Sequence, residues 1–241
     1  MKAKPVAALP AAPPLNEKTE KARLILQYAR EARDAFQQSC DKSRSGRRAT
    51  GGALTDAEQD LLRAMLVFAA AGLDSLVKEL IRDTLRTLAG RDKAVQAELQ
   101  AFVMRQLRGD LSADESEAAS GRKFMARILV APNPLLGVTE QYITDLTGES
   151  MQSAEQLFKA VKALGIDPLT LQLDAALLKR IFDTRNEIIH EMDIVLESRS
   201  KSARKRRSRT IDALTDGADH LLDVGERIIA AVEQKLASGP S

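Results

Sequence analysis

TDAEQDLLRAMLVFAAAGLDSLVKELIRDTLRTLAG, residues 55–90, opens on a capping box and closes on a glycine. The Thr55 hydroxyl and the Glu58 carboxylate stand at the spacing that lets each satisfy an orphan backbone donor of the other. A helix is therefore expected over about 56–88, ended by Gly90. Leu62, Met65, Leu66, Ala69, Leu73, Leu76, Leu80 and Leu85 recur at helical spacing and give it a broad apolar face. A face that wide suits the centre of a bundle. Asp74 stands within it among Ala70, Ala71, Val77 and Ile81, an acid that either finds a partner or looks onto solvent at a helix edge.

Composition agrees. Aromatics make up only 3% of the 241 residues and tryptophan is absent, while Ala, Leu, Arg, Glu and Lys are abundant. Those residues favour helix, and no alternation of β-branched residues competes. The expected fold class is all-α, an antiparallel helical bundle with extra short helices. A formal net charge of +2 selects no class of partner. The single cysteine, Cys40, rules out an internal disulfide and fits a reducing cytoplasm. With one cysteine and two histidines, no metal site or cofactor is expected. No apolar run approaches the roughly 18 residues of a membrane span.

Working outward, residues 1–15 carry Pro5, Pro10, Pro13 and Pro14 and read as a disordered Ala/Pro-rich tail. A helix is expected over about 17–40, capped by Asn16, with Leu24, Ile25, Tyr28, Ala29, Ala32, Phe36 and Cys40 as its inner stripe. A basic loop, 41–54, precedes the central helix. After it come a helix over 93–107, an acidic loop over 110–121, and short helices over 123–130, 138–146 and 154–164. Pro132 and Pro134 are read as the stop between the first two of these. Asp174 is the candidate cap of a long helix over 174–192, and a last amphipathic helix spans about 212–236. The domain reading is one helical unit over 16–237, with a possible insertion at 110–170, a flexible basic loop at 198–210, and a tail at 238–241.

The 174–192 helix carries Arg185-Asn186-Glu187-Ile188-Ile189-His190. The helical neighbours of Arg185 are Ile181, Phe182, Ile188 and Ile189, all apolar. A cation on an apolar face needs a partner, because an unpaired buried charge is costly. Asp74 is the matching lone acid, and an Asp74–Arg185 pair is expected. His190 lies among Asn186, Glu187, Asp193 and Ile194, about 140° around the helix from Arg185. The two converge only through the reach of arginine, a frayed helix end, or a second copy of the chain. An ordinary salt-bridged arginine and a surface histidine remain the alternative. His220, among Asp216, Asp219 and Asp223, reads as structural.

Downstream lies Arg199-Ser-Lys-Ser-Ala-Arg-Lys-Arg-Arg-Ser-Arg209, with no acid inside it. Such a block is either a solvated loop or a phosphate-binding surface, since each neutralised phosphate releases a counterion. Its place just after the Arg/His hexapeptide favours RNA, with Lys201, Arg204, Lys205, Arg206, Arg207 and Arg209 as contacts.

Three segments resemble the RiboL-PSP-HEPN branch of the HEPN superfamily. They are residues 63–80, the Arg185–Asp193 segment, and the basic block leading through Arg209-Thr210-Ile211 into a final amphipathic helix. The resemblance spans about 55–237, although 110–170 is longer and more broken than a minimal bundle needs. It implies a dimeric bundle with two Arg/His motifs in a shared cleft, cleaving RNA (tRNA or mRNA) without metal. In that reading Arg185 stabilises the phosphorane, His190 moves a proton, and Asn186 orients one of them. We add that Glu191 or Asp193 holds the imidazole and Asp74 fixes the Arg185 rotamer. A toxin-like or anti-phage effector, held by an antitoxin or regulatory protein, is the implied setting. The alternative is a non-catalytic HEPN-like module that binds nucleotide, nucleic acid or a protein.

Overall fold

A computed structural model describes residues 17–45, 54–109, 123–126, 128, 130–193 and 206–238. The expected N-terminal tail, the Asn16 cap, the loop at 110–121, and Lys201, Arg204 and Lys205 lie outside the described residues. The fold is all-α: α1 (Glu17–Ser45), α2 (Asp56–Ala89), α3 (Lys93–Gly109), α4 (Pro134–Thr147), α5 (Ala154–Ala163), α6 (Ala175–Glu191) and α7 (Ile211–Ala237). Among the described residues no helix is long and apolar enough to cross a membrane.

The helix read first is the centre. Its capping box forms as expected: the Thr55 hydroxyl accepts from the Glu58 N–H, and Glu58 Oε2 accepts from the Thr55 N–H at 2.8 Å. α2 packs against α1 and each of α3 to α7. Leu62, Leu66, Leu73, Leu76, Leu80 and Leu85 are all fully buried or nearly so. Each contributes about 1.5–3 kcal/mol by leaving water. α1 runs against α2, with Lys18 beside Thr87 and Ser43 beside Glu58, whereas α7 runs alongside it, as the Leu66–Gly217 and Leu76–Gly225 approaches show.

Two helices differ from expectation. α1 buries Ala22, Leu26 and Ala29, while Leu24 and Tyr28 of the expected inner stripe are exposed. Close approach sets this phase: a Cβ placed on Gly72 would lie 2.6 Å from Ala29 Cβ. The small residues form the seam and the larger apolar ones flank it. α4 begins at Pro134, not near 138. Asn133 Oδ1 accepts from the Leu136 N–H, and a proline in the first turn loses only a donor that has no partner anyway. The proline read as a stop is a start.

Candidate functional site

α6 starts as the sequence indicates. Asp174 Oδ1 accepts from the Ala176 and Leu177 N–H groups, both at 2.9 Å. These bonds, that from Leu177 first, hold the Asp174 carboxyl below its usual range. Leu178, Ile181 and Phe182 are buried. Arg185 follows in the same phase where the stripe leaves the core, and it is half-buried.

The helix ends unusually. Met192 and Asp193 both have positive φ, 51° and 57°. Left-handed backbone costs a non-glycine residue about 1–2 kcal/mol, so something must hold this end. Asp193 does. Its side chain is fully buried, and its Oδ2 accepts from Nε of the nearly buried Arg63 on α2 at 2.8 Å. Arg209 donates to Asp193 Oδ1 from Nη2 at 2.7 Å and also reaches Glu187. Arg63 donates to three further acceptors, Asp60 Oδ1, Gln59 Oε1 and the Arg207 carbonyl. The Arg207 N–H closes the base by donating to the Asp193 carbonyl at 2.7 Å. Burial alone would raise the Asp193 carboxyl, but the bonds from Arg209 and Arg63 outweigh it and hold the group below its usual range.

This clasp corrects several expectations. Asp193 faces two guanidinium groups, not the imidazole. The described end of the basic block, Arg206, Arg207 and Arg209, is offset by acids brought from elsewhere in the chain. Arg206 pairs with Asp60 at 2.6 Å, Arg207 reaches Glu187 at 3.4 Å and Glu191 at 3.8 Å, and Arg209 holds Glu187 and Asp193. The Asp74–Arg185 pair is not made. Asp74 accepts from Lys78 Nζ at 2.9 Å and from the Met151 N–H at 3.0 Å. Helical proximity supplied Lys78, four residues on, and the α4–α5 turn supplied the amide.

Three motif residues stay outside these pairings. Arg185 Nη1 donates to Asn186 Oδ1 at 3.0 Å, while its Nε is buried without a partner. Asn186 Nδ2 donates to the Gln152 carbonyl at 3.0 Å, one residue from the amide held by Asp74. Asp74 and Asn186 thus grip the same turn. His190 is exposed in the last turn of α6, and no described residue bonds its ring.

Arg63, Gln59 and Asp60 were not singled out from sequence. A signal was present: Arg63 is in phase with Leu66, Ala70 and Val77, all buried. The polar neighbours Gln59 and Asp60 masked it. No family model, curated protein or solved structure matches this chain.

Proposed function

We propose that the chain is a HEPN-type, metal-independent endoribonuclease that acts as a homodimer on cellular RNA in the cytoplasm, as a toxin-like or anti-phage effector. The observation that carries the reading is the division of labour along α6. Glu187 and, just past the helix, Asp193 are engaged by arginines, whereas Arg185 pairs with no acid and His190 is exposed with no described group on its ring. The ribose 2′-oxygen bonds to the adjacent phosphorus, and the bond from phosphorus to the 5′-oxygen breaks. A cyclic phosphate and a 5′-hydroxyl result. His190 moves the proton that leaves the 2′-hydroxyl and is gained by the departing 5′-oxygen. Arg185 stabilises the charged phosphorane with its guanidinium fork. Asn186 fixes that fork through its Oδ1 and is itself fixed by Gln152.

The test is cleavage of end-labelled tRNA and mixed single-stranded RNA, with EDTA throughout, by wild type beside Arg185→Ala and His190→Ala. Wild type is expected to give discrete fragments, and His190→Ala to lose about 10²–10⁴ in rate. Cleavage that survives both substitutions sinks the assignment. The exposure of His190, with no described group to orient its ring, favours one second reading, a non-catalytic RNA-binding module. RNA shifted on a gel but left intact by wild type selects it.

A further inference from the structure

Arg206 and Arg207 differ from Arg63 and Arg209 in how they are held. The side chain of Arg63 is 3% exposed and that of its partner Asp193 is 0% exposed. Neither can leave without stranding a buried charge. Arg206 and Asp60 are 33% and 51% exposed, and Arg207, Glu187 and Glu191 lie between 30% and 39%. Ion pairs this open to water are weak and readily exchanged. The guanidinium fork accepts a carboxylate or a phosphate by the same geometry.

Resting on the RNA-binding reading above, we infer that Arg206 and Arg207 form a phosphodiester site occupied in the free protein by the carboxylates of Asp60, Glu187 and Glu191. These acids set the affinity. When RNA arrives, a backbone phosphate takes the place of a carboxylate on each arginine. The place fits the proposed chemistry. Glu187 and Glu191 are four apart on one face of α6, and His190 lies between them, three residues from the first and next to the second. A phosphate taken up by Arg207 is delivered beside His190. Arg209 and Arg63 take no part, because they hold the base of the segment shut.

Exchange has a thermodynamic signature. Wherever a phosphate takes an arginine from a carboxylate, the freed carboxylate takes up a cation, which cancels the counterion that the phosphate releases. Removing the acid restores that release, worth about 0.7 in the slope of log K against log salt per phosphate on a single strand.

The experiment uses the full chain in a His190→Ala background, so that RNA stays intact, and a fluorescein-labelled 20-nucleotide oligouridylate read by anisotropy across salt. Asp60→Asn with Glu191→Gln is compared with the parent. The amide of Asp60→Asn keeps an oxygen for Arg63, and thermal melts check folding. Glu140→Gln is the control. It removes one charge, half that of the double variant, from an exposed arginine pair, that with Arg86, about 39 Å along α2 from Asp60 and beyond screening range, so twice its effect on log K measures net charge alone. The expected result is about two- to tenfold tighter binding at low salt and a steeper slope, both cancelled by adding Arg206→Gln and Arg207→Gln. Binding and slope equal to the parent overturn the exchange and leave RNA binding standing. A gain in log K no greater than twice that of Glu140→Gln also overturns it, as an effect of net charge alone. No binding by any protein overturns the exchange together with the reading on which it rests.

Discussion

Asp193 is the side chain on which the clasp at the end of α6 turns. It sits fully buried between Arg63 and Arg209 at the end of a helix closed by two left-handed residues. Asp193→Ala leaves Arg63 buried without its main partner, which costs about 3–5 kcal/mol. Urea unfolding should show that loss, and a midpoint equal to wild type would mean the clasp does not hold the fold. Asp193→Asn keeps an acceptor and should lose less. The pH dependence follows from the depressed carboxyl. The ionised form is favoured in the fold, so its stabilisation is complete above the unfolded value of about 3.9. It is lost as pH falls through the lower folded value. Part of the acid limb of stability against pH should therefore vanish in Asp193→Asn. The sequence made Asp193 and Arg209 visible as charged groups near a motif. Helical phase placed Arg63 with buried Leu66, Ala70 and Val77, but its partner could not be read, because Asp193 is 130 positions away and helical spacing reports only neighbours on the same helix.

The helices themselves were largely legible. α2 and α6 announced their N-terminal ends through Thr55 and Asp174, side chains whose hydrogen bonds are local and so readable from spacing. The phase of α1 was not legible. The largest apolar residues usually mark the inner face, yet here Leu24 and Tyr28 point out because Ala29 fits against Gly72. Partner identity, and not the pattern of one helix, settles such a seam. Gly72→Ala tests it. Helix propensity alone predicts a gain of up to about 1 kcal/mol over glycine. The 2.6 Å approach to Ala29 Cβ requires the helices to part, and overpacking typically costs about 1–3 kcal/mol. The variant should come out less stable than wild type in thermal or urea unfolding. Ala29→Gly added to it should recover part of the loss. A more stable Gly72→Ala protein would mean that the seam yields freely.

The whole assembly matters to the proposed reaction because one chain does not bring Arg185 and His190 together. α6 is helical through both, and five residues separate them by about 7.5 Å along the axis and 140° around it. Arg185 is turned toward Asn186 and the α4–α5 turn, half-buried, while His190 is exposed near the clasp. A catalytic pair built from these residues therefore needs the arginine of one copy beside the histidine of another. This makes a prediction that no single-chain site shares. Arg185→Ala and His190→Ala proteins, each inactive alone, are unfolded together, refolded as a mixture and assayed for RNA cleavage. In a two-fold dimer, random pairing gives half heterodimers, each with one intact composite site, so about a quarter of wild-type activity should return. If both groups serve within one chain, every heterodimer carries two broken sites and the mixture stays inactive. Restored cleavage that rises with protein concentration would place the active centre between two copies of α6, with the carboxylate-held arginines of each chain flanking it.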